Sequence, residues 1–286
     1  MIEVLRSRSR VFAFGIISVV YILAAAAGYA VYRTVPGVWQ VRLLIADAAA
    51  TVIVFLFSVF FRNASVYDPY WSVQPPVILL FFAIGVKLTP LRLLLLIAVF
   101  FWAVRLTANW AYTFHGLSHQ DWRYTMLKEK TGFFYPIINF IGIHMVPTVI
   151  VYLCILPAVY AFLQNGTVNF GSAMFFLCAV GAAVLQGVAD VQMHCFRSRK
   201  TGTFIRTGLW KYSRHPNYLG EILMWWSVAL CVYCAFPGMW QLFIGAAANT
   251  VLFLAVSIPM AEKRQSRKPG YDTYRKETRM LLPIKK

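Results

Sequence analysis

The sequence predicts an all-α integral membrane protein that crosses the bilayer seven or eight times. Hydrophobic residues make up 60% of the 286 residues and charged residues only 13%, a balance that soluble domains do not show. The apolar residues are gathered in runs long enough to cross a hydrocarbon core about 30 Å thick. Backbone groups in lipid must be hydrogen-bonded within their own segment, so we expect these runs to be helices.

Eight apolar runs are candidate spans. They cover residues 11–32, 43–61, 74–87, 91–110, 136–162, 170–195, 219–236 and 240–260. The third run is short and contains Pro75 and Pro76, so a tilted, re-entrant or half-buried segment, and hence seven spans, is the alternative. The first run is too long for a removed signal peptide and lacks a cleavage signature. Without a long polar stretch, the chain is predicted to be one integral-membrane domain, residues 1–286.

The distribution of the positive charge predicts the orientation. The net charge is +17, and with eight crossings 22 of the 27 Lys and Arg residues fall on the same side as the N-terminus, against four on the other. The positive-inside rule then places both termini in the cytoplasm, of either a bacterial inner membrane or an endoplasmic reticulum. Topology and attraction to anionic lipid account for the charge, and no motif indicates nucleic-acid binding.

Metal and redox chemistry have little support in the sequence. Cys231 and Cys234 form a C-x-x-C pair, but inside a predicted span and without a second ligand pair, so we interpret the cysteines as packing residues. His115 and His119 are four residues apart and Asp121 follows, yet nothing supplies a further ligand. We therefore predict no metal site.

Polar residues cluster in four places, each at or near a predicted cytoplasmic end of a span. The first cluster, residues 63–76, is irregular because prolines break helices there. Its Asp68 lies among aromatic residues, a setting that raises the pKa of a carboxyl group and suits a proton donor. The alternative is an interfacial aromatic belt in which Asp68 caps a helix.

The second and third clusters each place polar side chains on one helical face. Arg105 and Asn109 are four residues apart near a membrane boundary, where an arginine can also snorkel to the interface. Asp190, His194 and Arg197 follow helical spacing at the end of the sixth run. This third face offers a carboxylate for hydroxyl or amide groups and a guanidinium for phosphate.

The fourth cluster, residues 208–221, carries a carboxylate directly into an apolar segment, which is costly in a membrane protein and usually marks a site. Arg214 and His215 are suited to phosphate, and Pro216 fits a first helical turn whose free N–H groups favour anions. Asn217 and Glu221 share one face of that helix. No dinucleotide or P-loop fingerprint occurs, so a nucleotide would bind between membrane helices.

The fourth cluster resembles the C-terminal signature of the steroid 5-alpha-reductase superfamily. The matching residues are Gly208-Leu209-Trp210, Tyr212 and Arg214-His215-Pro216-Asn217-Tyr218-Leu219-Gly220-Glu221, with Asp190 and Arg197 upstream and Tyr271-Asp272-x-Tyr274 … Leu282-Pro283 downstream. Asp68-Pro69-Tyr70-Trp71-Ser72 and residues 116–124 are similar to a poorly characterised, largely microbial branch. The resemblance covers about residues 60–286 and is most specific from about residue 180.

The resemblance implies a polytopic reductase that takes NADPH from the cytoplasm and a lipidic enone from the bilayer. Residues at its cofactor-binding positions are Asp190, Arg197, Asn217 and Glu221, with Tyr212, Arg214, His215 and Tyr218 in the same motif. That family also uses a Glu–Tyr pair to polarise the substrate carbonyl. Asp68 is the best match for the Glu, whereas the Tyr position holds Trp102, which makes Tyr70 the candidate phenol.

Three functions from different classes follow. The first is NADPH-dependent reduction of a carbon–carbon double bond in a lipophilic, carbonyl-conjugated substrate such as a steroid, sterol or enoyl lipid. The second is an S-adenosylmethionine-dependent membrane methyltransferase of the isoprenylcysteine or phospholipid type, since similar Arg-His-Pro motifs occur there. The third is a lipid-binding or scaffold protein without catalysis. The sequence names neither the lipid nor the oligomeric state.

Overall fold

The computed structural model describes residues 2–200 and 202–283, and this part of the chain is helical. Its α-helices, in chain order, are α1 Ile2–Arg6, α2 Arg10–Thr34, α3 Trp39–Phe60, α4 Tyr70–Ala83, α5 Pro90–Thr113, α6 Trp122–Thr131, α7 Tyr135–Ile137, α8 Val146–Leu163, α9 Phe170–Ser198, α10 Pro216–Ala235, α11 Ile244–Leu252, α12 Ile258–Gln265 and α13 Tyr271–Glu277. Two π-helices, Ile138–Met145 and Phe253–Ser257, continue α7 into α8 and α11 into α12.

Within the described residues, seven helical stretches are long and apolar enough to cross a membrane. They are Arg10–Thr34, Trp39–Phe60, Pro90–Thr113, Trp122–Leu163, Phe170–Ser198, Pro216–Ala235 and Trp240–Gln265. The remaining candidate run falls on α4, which has 14 residues. At 1.5 Å per residue α4 is about 21 Å long, which is shorter than the hydrocarbon core. The predicted all-α polytopic fold is confirmed, with seven full-length candidate spans in the described residues rather than eight.

The chain divides into two compact units. The first unit is Met1–Phe81 with Leu106–Leu156, and the second is Phe82–Arg105 with Pro157–Lys286. In the first unit α2 packs on α3. A Cβ on Gly28 would lie 3.1 Å from the backbone oxygen of Ala46, so a small residue is needed for this close contact.

An irregular segment between α3 and α4 is held in the first unit by side-chain hydrogen bonds. The Asn63 amide donates to the carbonyl oxygens of Leu117 and His119, at 2.8 and 3.0 Å. The Ser65 hydroxyl accepts from the backbone N–H of Asp121 at 2.9 Å. These contacts fix the residues around Asp68 against the loop that precedes α6.

In the second unit α9 and α10 pack closely because Gly220 has no side chain. A Cβ at this position would meet Cγ of Gln186 at 2.5 Å and the backbone oxygen of Ala182 at 2.7 Å. Both distances are shorter than van der Waals contact, so α10 can approach α9 only with glycine here. The close approach brings Asn217 and Glu221, on α10, next to the polar residues of α9.

The end of the chain packs on the segment that leads into α10. Phe204 contacts Tyr271 and Tyr274, with ring centroids 5.1 and 5.3 Å apart. The Tyr274 hydroxyl donates to the Trp210 carbonyl. Residues 203–215 and 262–280 of the second unit therefore pack against each other.

Candidate functional site

A guanidinium in the second unit lies between two carboxylates. Arg105 Nη1, on α5, is 2.7 Å from Asp190 Oδ2 on α9, and Arg105 Nη2 is 3.8 Å from Glu221 Oε2 on α10. The three side chains are only 14%, 13% and 5% exposed. Charged groups this deep in membrane-spanning helices persist only when they are paired, and they usually mark a functional site.

Two indole groups complete the surroundings of Glu221. Trp102 Nε1 donates to Oε2 and Trp225 Nε1 donates to Oε1, each at 2.9 Å. The two indole rings are 4.8 Å apart between centroids and pack edge-to-face. Trp102, which stands where the resemblance would have a tyrosine, is therefore a hydrogen-bond donor that holds Glu221 in place.

Three polar atoms of this cluster are buried without a hydrogen-bond partner in the described part of the chain. They are Arg105 Nε, Gln186 Nε2 and Asn217 Oδ1. The rest of each side chain is engaged, because Arg105 donates to Gln186 Oε1 and Asn217 donates to Asp190 Oδ1 at 3.5 Å. An unsatisfied buried polar atom costs about 1–3 kcal/mol. Two donors and one acceptor are thus left open in one cluster, and a group that both accepts and donates would satisfy them.

Arg197 and Tyr212, two of the sequence-predicted residues, are exposed. Arg197 lies in the last turn of α9, seven residues beyond Asp190. Burial lowers the pKa of Lys268, and the charges of Arg264 and Arg197 lower it further. Lys268, Arg264 and Arg197 therefore form a group of like charges in this part of the second unit.

Arg214 and His215 direct their polar atoms to the C-terminal part of the second unit. Arg214 Nε is 2.6 Å from Glu262 Oε1, and His215 Nε2 is 3.2 Å from the same oxygen. The Arg214 guanidinium also donates to the carbonyls of Arg275 and Thr278. In this structure the two residues hold the end of the chain in place, and Glu262 was not singled out from the sequence.

Tyr218, another residue of the motif, has an aromatic role. Its ring stacks on His215 with centroids 5.3 Å apart and planes 4° from parallel, and it also contacts Phe253. Tyr218 thus supports the His215 ring from the first turns of α10. The eight predicted cofactor residues fall into three groups: Asp190, Asn217 and Glu221 meet at Arg105, Arg197 and Tyr212 lie exposed, and Arg214, His215 and Tyr218 pack together.

The predicted acids Asp68 and Tyr70 belong to the first unit and have separate partners. The Tyr124 hydroxyl donates to Asp68 Oδ1. Burial raises the pKa of Asp68 to about 6, although the Arg123 guanidinium and the Tyr124 hydrogen bond oppose the rise. The Tyr70 hydroxyl instead donates to Asp47 Oδ1 at 3.1 Å.

Asp47 is a candidate site residue that sequence reasoning missed. It is 5% exposed on α3 and accepts hydrogen bonds from Tyr70 and from the Gln74 amide. The available signal was a lone carboxylate inside an apolar run, which in a membrane span is a functional-site hypothesis by default. The first unit therefore contains two carboxyl–phenol pairs, Asp47–Tyr70 and Asp68–Tyr124.

Comparison with known proteins gives a family. The family model described as "Protein of unknown function (DUF1295)" matches residues 54–278, so the chain belongs to the DUF1295 family. An uncharacterized protein of Schizosaccharomyces pombe is 26% identical over an alignment of 256 residues, and the match covers 79% of this chain and 74% of the yeast protein. No solved structure matches the chain.

Proposed function

We propose that this member of the DUF1295 family is a membrane-embedded reductase that uses NADPH to reduce a carbon–carbon double bond. The substrate would be a lipophilic compound whose double bond is conjugated to a carbonyl, such as a steroid-like, sterol-like or enoyl lipid. The resemblance of residues 208–221 to the steroid 5-alpha-reductase superfamily supports this proposal. The observation that carries it is the polar cluster of the second unit, with its three buried, unpartnered atoms.

These atoms fit the nicotinamide end of the proposed cofactor. A primary carboxamide has a carbonyl that can accept from Gln186 Nε2 or Arg105 Nε and an amino group that can donate to Asn217 Oδ1. Glu221, held by two indoles, and Asp190 fix the positions of these groups. Arg197, with Lys268 and Arg264 nearby, would bind phosphate groups, for which arginine is well suited.

NADPH, when bound, would supply a hydride to the β-carbon of the substrate. The chain's own contribution is binding, orientation and the supply of a proton. A phenol or a protonated carboxyl that donates to the substrate carbonyl stabilises the enolate charge as it develops. Asp68, whose carboxyl group accepts from Tyr124, and Tyr70 are the proposed donors. In this step the Tyr70 hydroxyl would donate to the substrate instead of to Asp47. With a pKa of about 6, Asp68 exchanges protons near neutral pH.

The charge distribution supports a location with both termini in the cytoplasm of a bacterial inner membrane or an endoplasmic reticulum. This orientation requires an even number of crossings, so the α4 region would complete an eighth crossing together with its flanking residues. The basic surface made by the end of α9 and residues 262–280 would then face the cytoplasm, where NADPH is available.

The test is nucleotide binding by the full chain purified in detergent. NADPH, but not S-adenosylmethionine, should raise the thermal unfolding temperature, and Glu221→Ala should lose this stabilisation because Trp102, Trp225 and Arg105 lose their shared partner. Glu129→Ala, which removes an exposed carboxylate of α6, is the matched control and should behave as the parent chain does. Oxidation of NADPH with 4-cholesten-3-one, giving a product heavier by two hydrogen atoms, would show the reaction.

Other outcomes point to other functions. Stabilisation by S-adenosylmethionine instead of NADPH would favour a methyltransferase. Stabilisation by neither nucleotide would favour a lipid-binding or scaffold protein. Unchanged NADPH affinity in Glu221→Ala would contradict the assigned site.

A further inference from the structure

A buried histidine of the first unit has an unused acceptor atom. His144 lies in the π-helix Ile138–Met145 and is 0% exposed, and its Nδ1 is 2.9 Å from the Asn139 carbonyl oxygen. Because a carbonyl oxygen only accepts, Nδ1 carries the proton and Nε2 is an unprotonated acceptor. Nε2 has no hydrogen-bond partner among the described residues. π-Helical turns inside longer helices often occur at functional sites.

The walls around His144 are aromatic. The His144 ring is 5.3 Å from the Phe55 ring, packed edge-on, and 4.6 Å from the Tyr67 ring between centroids. Such surroundings do not favour an ion, and the described residues contain no group of three or more His, Cys, Asp and Glu that could hold a metal. A small uncharged donor such as a hydroxyl group therefore suits Nε2.

A chain of hydroxyl groups lies beside this histidine. The Tyr67 hydroxyl is 2.8 Å from Thr148 Oγ1, which is 3.0 Å from Thr51 Oγ1. In both contacts either oxygen can be the donor. If Thr148 donates to Tyr67, the Tyr67 proton becomes available to a ligand oxygen. An acceptor, His144 Nε2, and a phenol that can donate, Tyr67, thus belong to two side chains whose rings are in contact.

We propose that the first unit contains a binding site for a lipid alcohol. Its hydroxyl group donates to His144 Nε2 and accepts from Tyr67, while its apolar body lies among the membrane-spanning helices. A ketone or an ether only accepts, and it would leave His144 Nε2 without a partner. The reductase proposal gives no role to His144, Tyr67, Thr148 or Thr51. The Tyr67 ring does contact the ring of Tyr70, one of the proposed proton donors, with centroids 5.5 Å apart.

The test compares each of two alcohols with its own methyl ether. Tritiated 1-hexadecanol and tritiated cholestanol are bound to the full chain in detergent and displaced by the unlabelled alcohol or by the ether. For at least one of the two, the alcohol should compete about fivefold to tenfold better than the ether, the effect of one hydrogen bond. His144→Phe should abolish this preference. Tyr152→Phe, which removes a hydroxyl of the same unit that donates to the Gln40 carbonyl, should retain it.

Three results would overturn the proposal: equal competition by alcohol and ether, a preference that survives in His144→Phe, or no binding of either alcohol, which would leave Nε2 to a water molecule. If His144→Phe does not fold, the parent chain still gives an answer. In protein labelled with ¹⁵N-histidine, the NMR signal of the buried unprotonated nitrogen should move when the alcohol is added and not when the ether is added. A signal that the alcohol leaves unmoved contradicts the site.

Discussion

In the second unit Asp190 and Glu221 share the guanidinium of Arg105, whereas in the first unit Asp47 is held by a phenol and an amide. In the second unit a positive charge balances negative charges, and the contacts of Arg105 at 2.7 and 3.8 Å connect three helices. In the first unit no Lys, Arg or His among the described residues lies within ion-pair distance of Asp47. Only neutral donors reach its two oxygens.

The two units therefore hold their carboxyl groups in different ways: by an ion pair in the second unit and by neutral hydrogen-bond donors in the first. Removing one member of a buried ion pair leaves an uncompensated charge, so the second unit depends on all of its members at once. Removing one neutral hydrogen-bond donor costs less, because the second donor to Asp47 stays in place. The charged cluster of the second unit suits binding and orientation, and the hydrogen-bonded carboxyl groups of the first unit suit proton supply.

The largest effect is expected from Arg105→Met. This change removes the guanidinium that Asp190 and Glu221 share and should lower the free energy of unfolding by about 3–5 kcal/mol. Equilibrium unfolding in mixed micelles measures it. Arg33→Met, at the exposed end of α2, is the control and should change stability by less than about 0.5 kcal/mol. A loss below about 1 kcal/mol in Arg105→Met would mean that the carboxylates do not depend on this guanidinium.

A smaller loss is expected from Tyr70→Phe. It removes one donor from Asp47 and leaves the Gln74 amide in place, so the cost should be about 1–2 kcal/mol in the same unfolding measurement. Tyr29→Phe, which removes an exposed hydroxyl of α2, provides the baseline. If Tyr70→Phe were as costly as Arg105→Met, the contrast between the two units would fail.

A pH dependence of stability is expected from Asp68. Its pKa of about 6 in the fold is above the ordinary value of 3.8, so the folded chain holds this proton more tightly than the unfolded chain does. The resulting stabilisation is complete below about pH 4 and is lost as the pH rises through about 6, and the difference between the two pKa values corresponds to about 3 kcal/mol.

Asp68→Asn cannot titrate and should remove this part of the dependence. Thermal unfolding between pH 4 and pH 8 measures it, and Asp272→Asn, an exposed carboxylate of α13, should leave the profile as it is in the parent chain. A profile that Asp68→Asn leaves unaltered would show that Asp68 does not keep its proton through burial.

Much of the fold could be predicted because membrane spans are defined by length and apolarity, both readable from sequence. Seven of the eight apolar runs coincide with helices that are long enough to cross. The α4 region was the uncertain one for a physical reason, since its two prolines remove backbone donors and its apolar run is short.

The site could be predicted only along single helices. Asn217 and Glu221 were paired by their helical spacing, and Asp190 was placed with them through the family resemblance. Arg105 was interpreted as a residue that could snorkel, because its partners come from two other helices that spacing within α5 cannot reveal. Gln186 has no sequence signal of its own.

Arg214 shows a second limit of sequence reasoning. A guanidinium beside a histidine suits phosphate, but the same chemistry suits a carboxylate and backbone carbonyls. Which of them is present depends on packing: Glu262 and the residues of α13 lie within reach. Counting charges along the chain could not have paired residue 214 with residue 262.

The partners of Arg214 also set an order of events during synthesis. Its contacts lie 48 to 64 residues further along the chain. While α10 is entering the bilayer, this guanidinium has no counterpart, and it acquires one only after residues 262–278 have been translated. The second unit therefore matures late, and we expect premature termination before Glu262 to yield a product that quality-control proteases degrade.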